Sequence, residues 1–106
     1  LVHDHQKLLK VIIETAYLSN KEIEDACKLC ADAGADFVKT STGFAPQGAT
    51  PEHIALMRKV LPKEVRIKAS GGIKTYEQAE ALINAGADRI GTSSAITILK
   101  QIPKTA

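Results

Sequence analysis

Short apolar blocks alternate along this chain with longer amphipathic stretches. Residues 8–15 are rich in β-branched side chains and nearly all apolar, which predicts a parallel strand buried on both faces. Ser19 stands three residues before Glu22, a capping box that opens a helix; Ile23, Ala26, Cys27, Cys30 and Ala31 then fall on one face, and Gly34 stops it. Residues 37–42 read as a second strand and 43–49 as a loop holding Pro46 and Gly48. Thr50 caps the next helix and Pro51 takes its first position, where a missing N–H costs nothing. Ile54, Leu56, Met57, Val60 and Leu61 form its apolar side, and Pro62 ends it. Residues 65–70 predict a third strand, followed by Gly71-Gly72. Thr75 and Gln78 make a second capping box, with Ala79, Leu82 and Ile83 expected inward and Gly86 as the stop. Residues 89–94 read as a short fourth strand and 95–102 as a last helix, with Ile96 and Leu99 inward. Residues 1–7 read as the end of an earlier helix.

Alternating β and α elements joined by short turns imply a parallel sheet with right-handed crossovers, an α/β fold. Ala33-Gly34-Ala35-Asp36 is echoed by Ala85-Gly86-Ala87-Asp88, two strand–helix units later. Repeated units of this kind close into barrels of about 250 residues. The 106 residues here supply about four of them, as one domain over 1–106. Four strands cannot close such a barrel, so its inner face and edge strands would be exposed. Self-association, or a missing N-terminal half-barrel, is the expected remedy.

Composition narrows the partners. The chain is 44% hydrophobic and 25% charged, which excludes wholesale disorder. Its longest unbroken apolar runs are only a few residues, such as Val11-Ile12-Ile13, too short for a transmembrane helix or the core of a signal peptide, so no membrane partner is expected. A net charge of +2 is scattered and makes no basic stripe for nucleic acid. Two cysteines make no disulfide framework, and the expected setting is cytoplasmic.

Chemistry in parallel α/β folds gathers at the carboxyl ends of strands. Those ends read Lys39-Thr-Ser-Thr-Gly, Lys68-Ala-Ser-Gly-Gly and Gly91-Thr-Ser-Ser. Adjacent parallel strands would hold Lys39 and Lys68 together. Burial and a neighbouring cation both disfavour an ammonium, which frees an amine as nucleophile toward a carbonyl carbon. The bland reading is that both lysines snorkel outward. Gly71 and Gly72 allow backbone N–H groups to approach an anion, and Gly91-Thr92-Ser93-Ser94 leads into a helix N-terminus that favours negative charge. The plain alternative is that these are only tight βα turns.

The segments 11–15, 33–43, 49–52, 68–75 and 89–94, above all Lys-Thr-Ser-Thr-Gly and Lys-Ala-Ser-Gly-Gly-Ile-Lys-Thr, resemble deoxyribose-phosphate aldolase. The resemblance spans nearly the whole chain and covers the C-terminal half of a (β/α)8 TIM barrel, strands five to eight. It implies a class I aldolase that cleaves 2-deoxy-D-ribose 5-phosphate to glyceraldehyde 3-phosphate and acetaldehyde, without metal or organic cofactor. Lys39 matches the Schiff-base lysine and Lys68 the second catalytic lysine, a proton relay. Gly43, Gly71, Gly72, Ser93 and Ser94 match positions around the substrate phosphate. Lys10 matches a lysine near the site. The family's acid/base aspartate lies upstream of residue 1. Asp36 and Asp88 precede their strands at the wrong end of the sheet, and Glu14 matches a family glutamate. The chain alone is therefore expected to hold an incomplete site. The rival readings are another phosphate-binding barrel enzyme and a non-catalytic truncated or engineered half-barrel.

Other constellations are weaker. Cys27-Lys-Leu-Cys30 has redox spacing but lies mid-helix on the apolar face, which predicts packing. His3, His5 and His53 lack companions that complete a metal ligand set. Ser41 and Ser70 lack a His–Asp arrangement that would make either a nucleophile.

Overall fold

The computed structural model describes residues 9–41 and 48–92. The helix end expected over 1–7, most of the loop at 43–49, the end of the fourth strand and the helix expected over 95–102 lie outside them. Within them the chain runs β1 (Lys10–Ile12), a 3-10 turn (Thr15–Tyr17), α1 (Asn20–Asp32), β2 (Phe37–Lys39), α2 (Pro51–Val60), β3 (Arg66–Ser70), α3 (Tyr76–Ala85) and β4 (Arg89–Gly91). The four strands form one parallel sheet in chain order.

Local chemistry sets the helix limits. The Ser19 hydroxyl accepts from the Glu22 amide at 3.2 Å, and the Glu22 carboxylate accepts from the Ser19 amide at 2.8 Å. Thr75 and Gln78 repeat the arrangement at 3.2 and 3.1 Å. Thr50 caps α2 by accepting from the His53 amide, with Pro51 at the first helical position. Each such cap stabilises a helix by about 1 kcal/mol. Gly86 follows α3 at φ 124°, a conformation closed to most side chains.

The Ala-Gly-Ala-Asp echo is structural. Asp36 accepts from the Leu9 amide at 2.8 Å and Asp88 from the Ile67 amide at 2.8 Å. Each aspartate thus ties the start of its strand to the preceding strand, and Asp88 also pairs with Arg58 at 3.2 Å. Both sit at the amino end of the sheet.

The helices pack on one side only. Ile23, Cys27 and Cys30 of α1, Ile54 and Met57 of α2, and Leu82 of α3 join Val38, Ile67 and Ala69 of the sheet in one buried cluster. Side chains alternate across a strand, so Lys10, Ile12, Phe37, Lys39, Arg66, Lys68, Arg89 and Gly91 lie on the opposite face. No element among the described residues covers that face. Two expectations fail here. The first strand is not buried on both faces: Lys10 and Ile12 are exposed and only Val11 joins the core. Ile83 is 47% exposed, because α3 turns Leu82 to the core and carries the next residue about 100° away.

Candidate active site

The open face is organised in rows by strand register. Ile12 pairs with Lys39, Lys39 with Lys68, and Lys68 with Arg89. Register partners on parallel strands project to the same side, with backbones roughly 4.8 Å apart. Lys39 and Lys68 therefore share one face and one level, and no helix layer separates them. Both are half-buried.

Two features hold this pair in place. Directly after Lys39, the Thr40 hydroxyl accepts from the Ser70 amide at 3.1 Å and bonds the Ser70 carbonyl at 3.1 Å. The Ser70 hydroxyl donates to the Ser41 carbonyl at 2.7 Å. Thr40, Ser41 and Ser70 are all buried, so these bonds carry the β2–β3 ladder past the point where backbone pairing ends. The second feature is Gly91. A Cβ there would stand 2.9 Å from Lys68 Cε and 3.6 Å from its Nζ, so the Lys68 side chain lies across the bare glycine.

The turn after β3 is built on two glycines. Gly71 and Gly72 have φ of 87° and 69°, a conformation that strains any other residue. Among the described residues, the nearest atom to a Cβ added at Gly72 is the Gly48 nitrogen at 3.9 Å. Gly48 in turn packs its bare Cα against Gly71, and the Ala49 amide donates to the Ser70 carbonyl at 3.0 Å. The Thr92 hydroxyl donates to the Ile73 carbonyl at 2.6 Å and ties the end of β4 to the same turn. A cleft of about 370 Å³ opens beyond Gly72, between the starts of α2 and α3. Its rim carries Glu52 and Glu77, which suits a phosphate poorly, and neither lysine lines it.

Of the residues singled out in the sequence, Lys39 and Lys68 stand together, and Gly71 and Gly72 form the turn after the Lys68 strand. Lys10 lies one row toward the amino end, its Nζ 5.6 Å from the centroid of the Phe37 ring. Gly43, Ser93 and Ser94 lie outside the described residues. Cys27 and Cys30 are buried; burial, then the charge of Cys30, pushes the Cys27 thiol up to about 11, the reverse of what a redox thiolate needs. Among the described residues no three of His, Cys, Asp and Glu are grouped to hold a metal ion, and no helix is long and apolar enough to cross a membrane.

Sequence reasoning saw Thr40 and Gly91 only as members of motifs, and it did not foresee the packing of Lys10, Arg66 and Arg89 around Phe37. One signal was present: Arg66-Ile-Lys-Ala-Ser alternates polar and apolar, the mark of a strand with two unlike faces.

A family model described as DeoC/LacD family aldolase matches residues 3–101. The chain belongs to the DeoC/LacD aldolase family. Deoxyribose-phosphate aldolase of Thermococcus kodakarensis is 55% identical over 97% of this chain, and that of Caldicellulosiruptor saccharolyticus 59% over 90%. The tetrameric deoxyribose phosphate aldolase of Aeropyrum pernix superposes with a TM-score of 0.85 at 34% identity over 98% of the chain. The chain spans 46%, 43% and 45% of those three proteins, so it is one part of a (β/α)8 aldolase barrel. The motifs Lys39-Thr-Ser-Thr-Gly and Lys68-Ala-Ser-Gly-Gly begin at two lysines that are register partners on adjacent strands.

Proposed function

We propose that this chain is the imine-forming part of an aldolase that cleaves 2-deoxy-D-ribose 5-phosphate to glyceraldehyde 3-phosphate and acetaldehyde. The observation that carries the reading is the register pairing of Lys39 with Lys68 on the open face. The names of the similar proteins supply the substrate class.

In this reading the free amine of Lys39 attacks the aldehyde carbon, and loss of water leaves an iminium. A base removes the proton of the 3-hydroxyl, the C2–C3 bond breaks, and its electron pair moves into the iminium to give an enamine. Glyceraldehyde 3-phosphate leaves. The enamine then takes a proton at C2, and water releases acetaldehyde and regenerates the amine. Lys68, the register partner of Lys39 on the same face, serves as the proton relay beside it. Gly71 and Gly72 receive the phosphate. No carboxylate among the described residues pairs with either lysine. In this reading the acid/base group that takes the 3-hydroxyl proton is supplied by the part of the barrel this chain does not match, and the chain by itself turns over slowly.

Borohydride added in the presence of 2-deoxyribose 5-phosphate tests this. The expected product is a sugar-phosphate adduct on Lys39 that disappears in Lys39→Leu and weakens in Gly72→Asp. Binding of the sugar phosphate with no adduct overturns the reading, as does turnover by the isolated chain equal to that of whole aldolases for the incomplete-site part of it.

A further inference from the structure

The turn after β3 is fixed one peptide at a time, from the ends of both neighbouring strands. The Ala49 amide, in the connection that follows β2, donates to the carbonyls of Ser70 and Gly71 at 3.0 and 3.2 Å. At the other end of the turn the Thr92 hydroxyl, directly after β4, donates to the Ile73 carbonyl at 2.6 Å. The same Ile73–Lys74 peptide gives its amide to Gln78 Oε1 at 2.7 Å, so both of its polar atoms are held. The Ile73 side chain is anchored in the core. Between these anchors the Gly72 and Ile73 amides meet no acceptor among the described residues.

The direction of the Gly72 amide follows from its own peptide. The C=O and N–H of a trans peptide point opposite ways. The Gly71 carbonyl points at Ala49, one wall of the cleft whose rim carries Glu52 and Glu77, so the Gly72 N–H points away from that wall. Gly48 permits this arrangement. A Cβ added at Gly48 would overlap the carbonyl carbon and oxygen of Gly71, and only a backbone shift could relieve it. Gly71 is confined in return: a Cβ added there would stand 2.9 Å from the Gly48 Cα and 3.1 Å from Ser41 Oγ.

We propose that Thr92 and Gly48 are positioning residues for the phosphate of the substrate: by fixing the Ile73–Lys74 and Gly71–Gly72 peptides they aim the Gly72 and Ile73 amides at the phosphate oxygens. The proposal rests on the reading that the Gly71-Gly72 turn receives the phosphate. Neither residue touches the substrate in this account. Amides aimed in advance at an anion lose little freedom when it binds, and their bonds to it are of the strong, charge-assisted kind. The ends of the strands on both sides of β3 thus hold the turn that selects a phosphorylated sugar over a neutral one.

Two measurements test this. The first is borohydride trapping on Lys39 over a series of concentrations of 2-deoxyribose 5-phosphate and of unphosphorylated 2-deoxyribose. The ratio of the two half-saturating concentrations measures selection for the phosphate. Thr92→Val is expected to lower that selection about tenfold, and Thr92→Ser, which keeps the hydroxyl, to recover most of it. Gly48→Ala is expected to lower it at least as much, because the atoms in its way are backbone. Lys21→Gln, at an exposed position on α1, leaves the ratio unchanged. The second measurement follows the Gly72 amide by nuclear magnetic resonance as inorganic phosphate is added. The amide is expected to shift in the unmodified chain and in Thr92→Ser, and to need roughly tenfold more phosphate in Thr92→Val. Circular dichroism reports whether each variant folds, and if Gly48→Ala does not, the two Thr92 variants decide. The proposal is overturned if Thr92→Val keeps the ratio of the unmodified chain, if Thr92→Ser loses as much as Thr92→Val, or if the Gly72 amide ignores phosphate in the unmodified chain. An adduct on Lys39 with a Gly72 amide that ignores phosphate removes this proposal and leaves the imine reading. A phosphate-dependent shift that follows Thr92, with no adduct, removes the imine reading alone.

Discussion

The two faces of one sheet do different work. The helix-covered face carries Val38, Ile67 and Ala69, all 0% exposed and packed on Ile23, Ile54 and Met57. The opposite face carries five cations, an exposed Ile12 and the bare Gly91. Strand alternation produces both from the same residues, since Val38 lies between Phe37 and Lys39 and Ile67 between Arg66 and Lys68. Stability is thus concentrated on one side and the proposed chemistry on the other, and substitutions should separate the two cleanly.

The largest effect is expected from Lys39→Leu. It should abolish imine trapping while changing the unfolding free energy by less than about 1 kcal/mol, because it removes a charge from an open face. Loss of trapping together with unfolding would break the contrast. Ile67→Ala, one residue before Lys68, should do the opposite. It should cost about 2–5 kcal/mol in denaturant unfolding through the cavity it leaves, and under native conditions Lys39 should still react.

Smaller effects test the junction between the faces. Thr40→Val removes the hydroxyl that accepts from the buried Ser70 amide and leaves that amide unpaired, while the Ser70 carbonyl keeps its bond from the Ala49 amide. A cost of about 1–3 kcal/mol is expected, with Thr40→Ser recovering most of it, as read by urea unfolding. Gly91→Ala should leave stability nearly unchanged, since the atom it crowds, at 2.9 Å, is the far end of the Lys68 side chain, and Ser70 Cβ stands at 3.4 Å. It should slow trapping on Lys39 by displacing that amine, and equal trapping in Gly91→Ala would show that the position of Lys68 is irrelevant.

The covered face also makes a pH prediction. The Cys27 thiol is raised from 9.0 to about 11, first by burial and then by Cys30. Between those values the folded chain holds a proton that the unfolded chain has lost. The stability this group contributes is complete below pH 9 and falls as pH rises toward 11, by at most about 1.4 kcal/mol per pH unit. Cys27→Ala should flatten that part of the stability curve, and thiol reagents at pH 8 should label the native chain slowly.

Much of this was legible in the residues. Both capping boxes, the Pro51 start of α2, the Gly86 stop and the four parallel strands follow from local patterns whose physics is local. The meeting of Lys39 and Lys68 followed from matched positions on consecutive strands. What escaped needed the third dimension. Residues 13–15 look like a continuation of β1, yet Glu14 takes φ 51° and residues 15–17 coil into a 3-10 turn. Apolar side chains conceal such a bend. Ile83 looks inward because its periodicity matches Leu82 within one turn, but only one of the two can point at the sheet. Thr40 reads as a member of a motif, and nothing in its spacing says that its hydroxyl extends a ladder. The cations around Phe37 were hidden because a lysine or arginine in a strand looks the same whether it stands in water or lies along a ring.

The most direct measurement is a residue-resolved map of borohydride trapping with acetaldehyde on the unmodified chain. Lys39 and Lys68 share a face and a level, and only one of them is assigned the covalent role. The account predicts an N-ethyl group on Lys39 well above every other lysine, with Lys68 labelled no faster than the exposed Lys21. Labelling spread evenly over the lysines, or concentrated on Lys68, contradicts it.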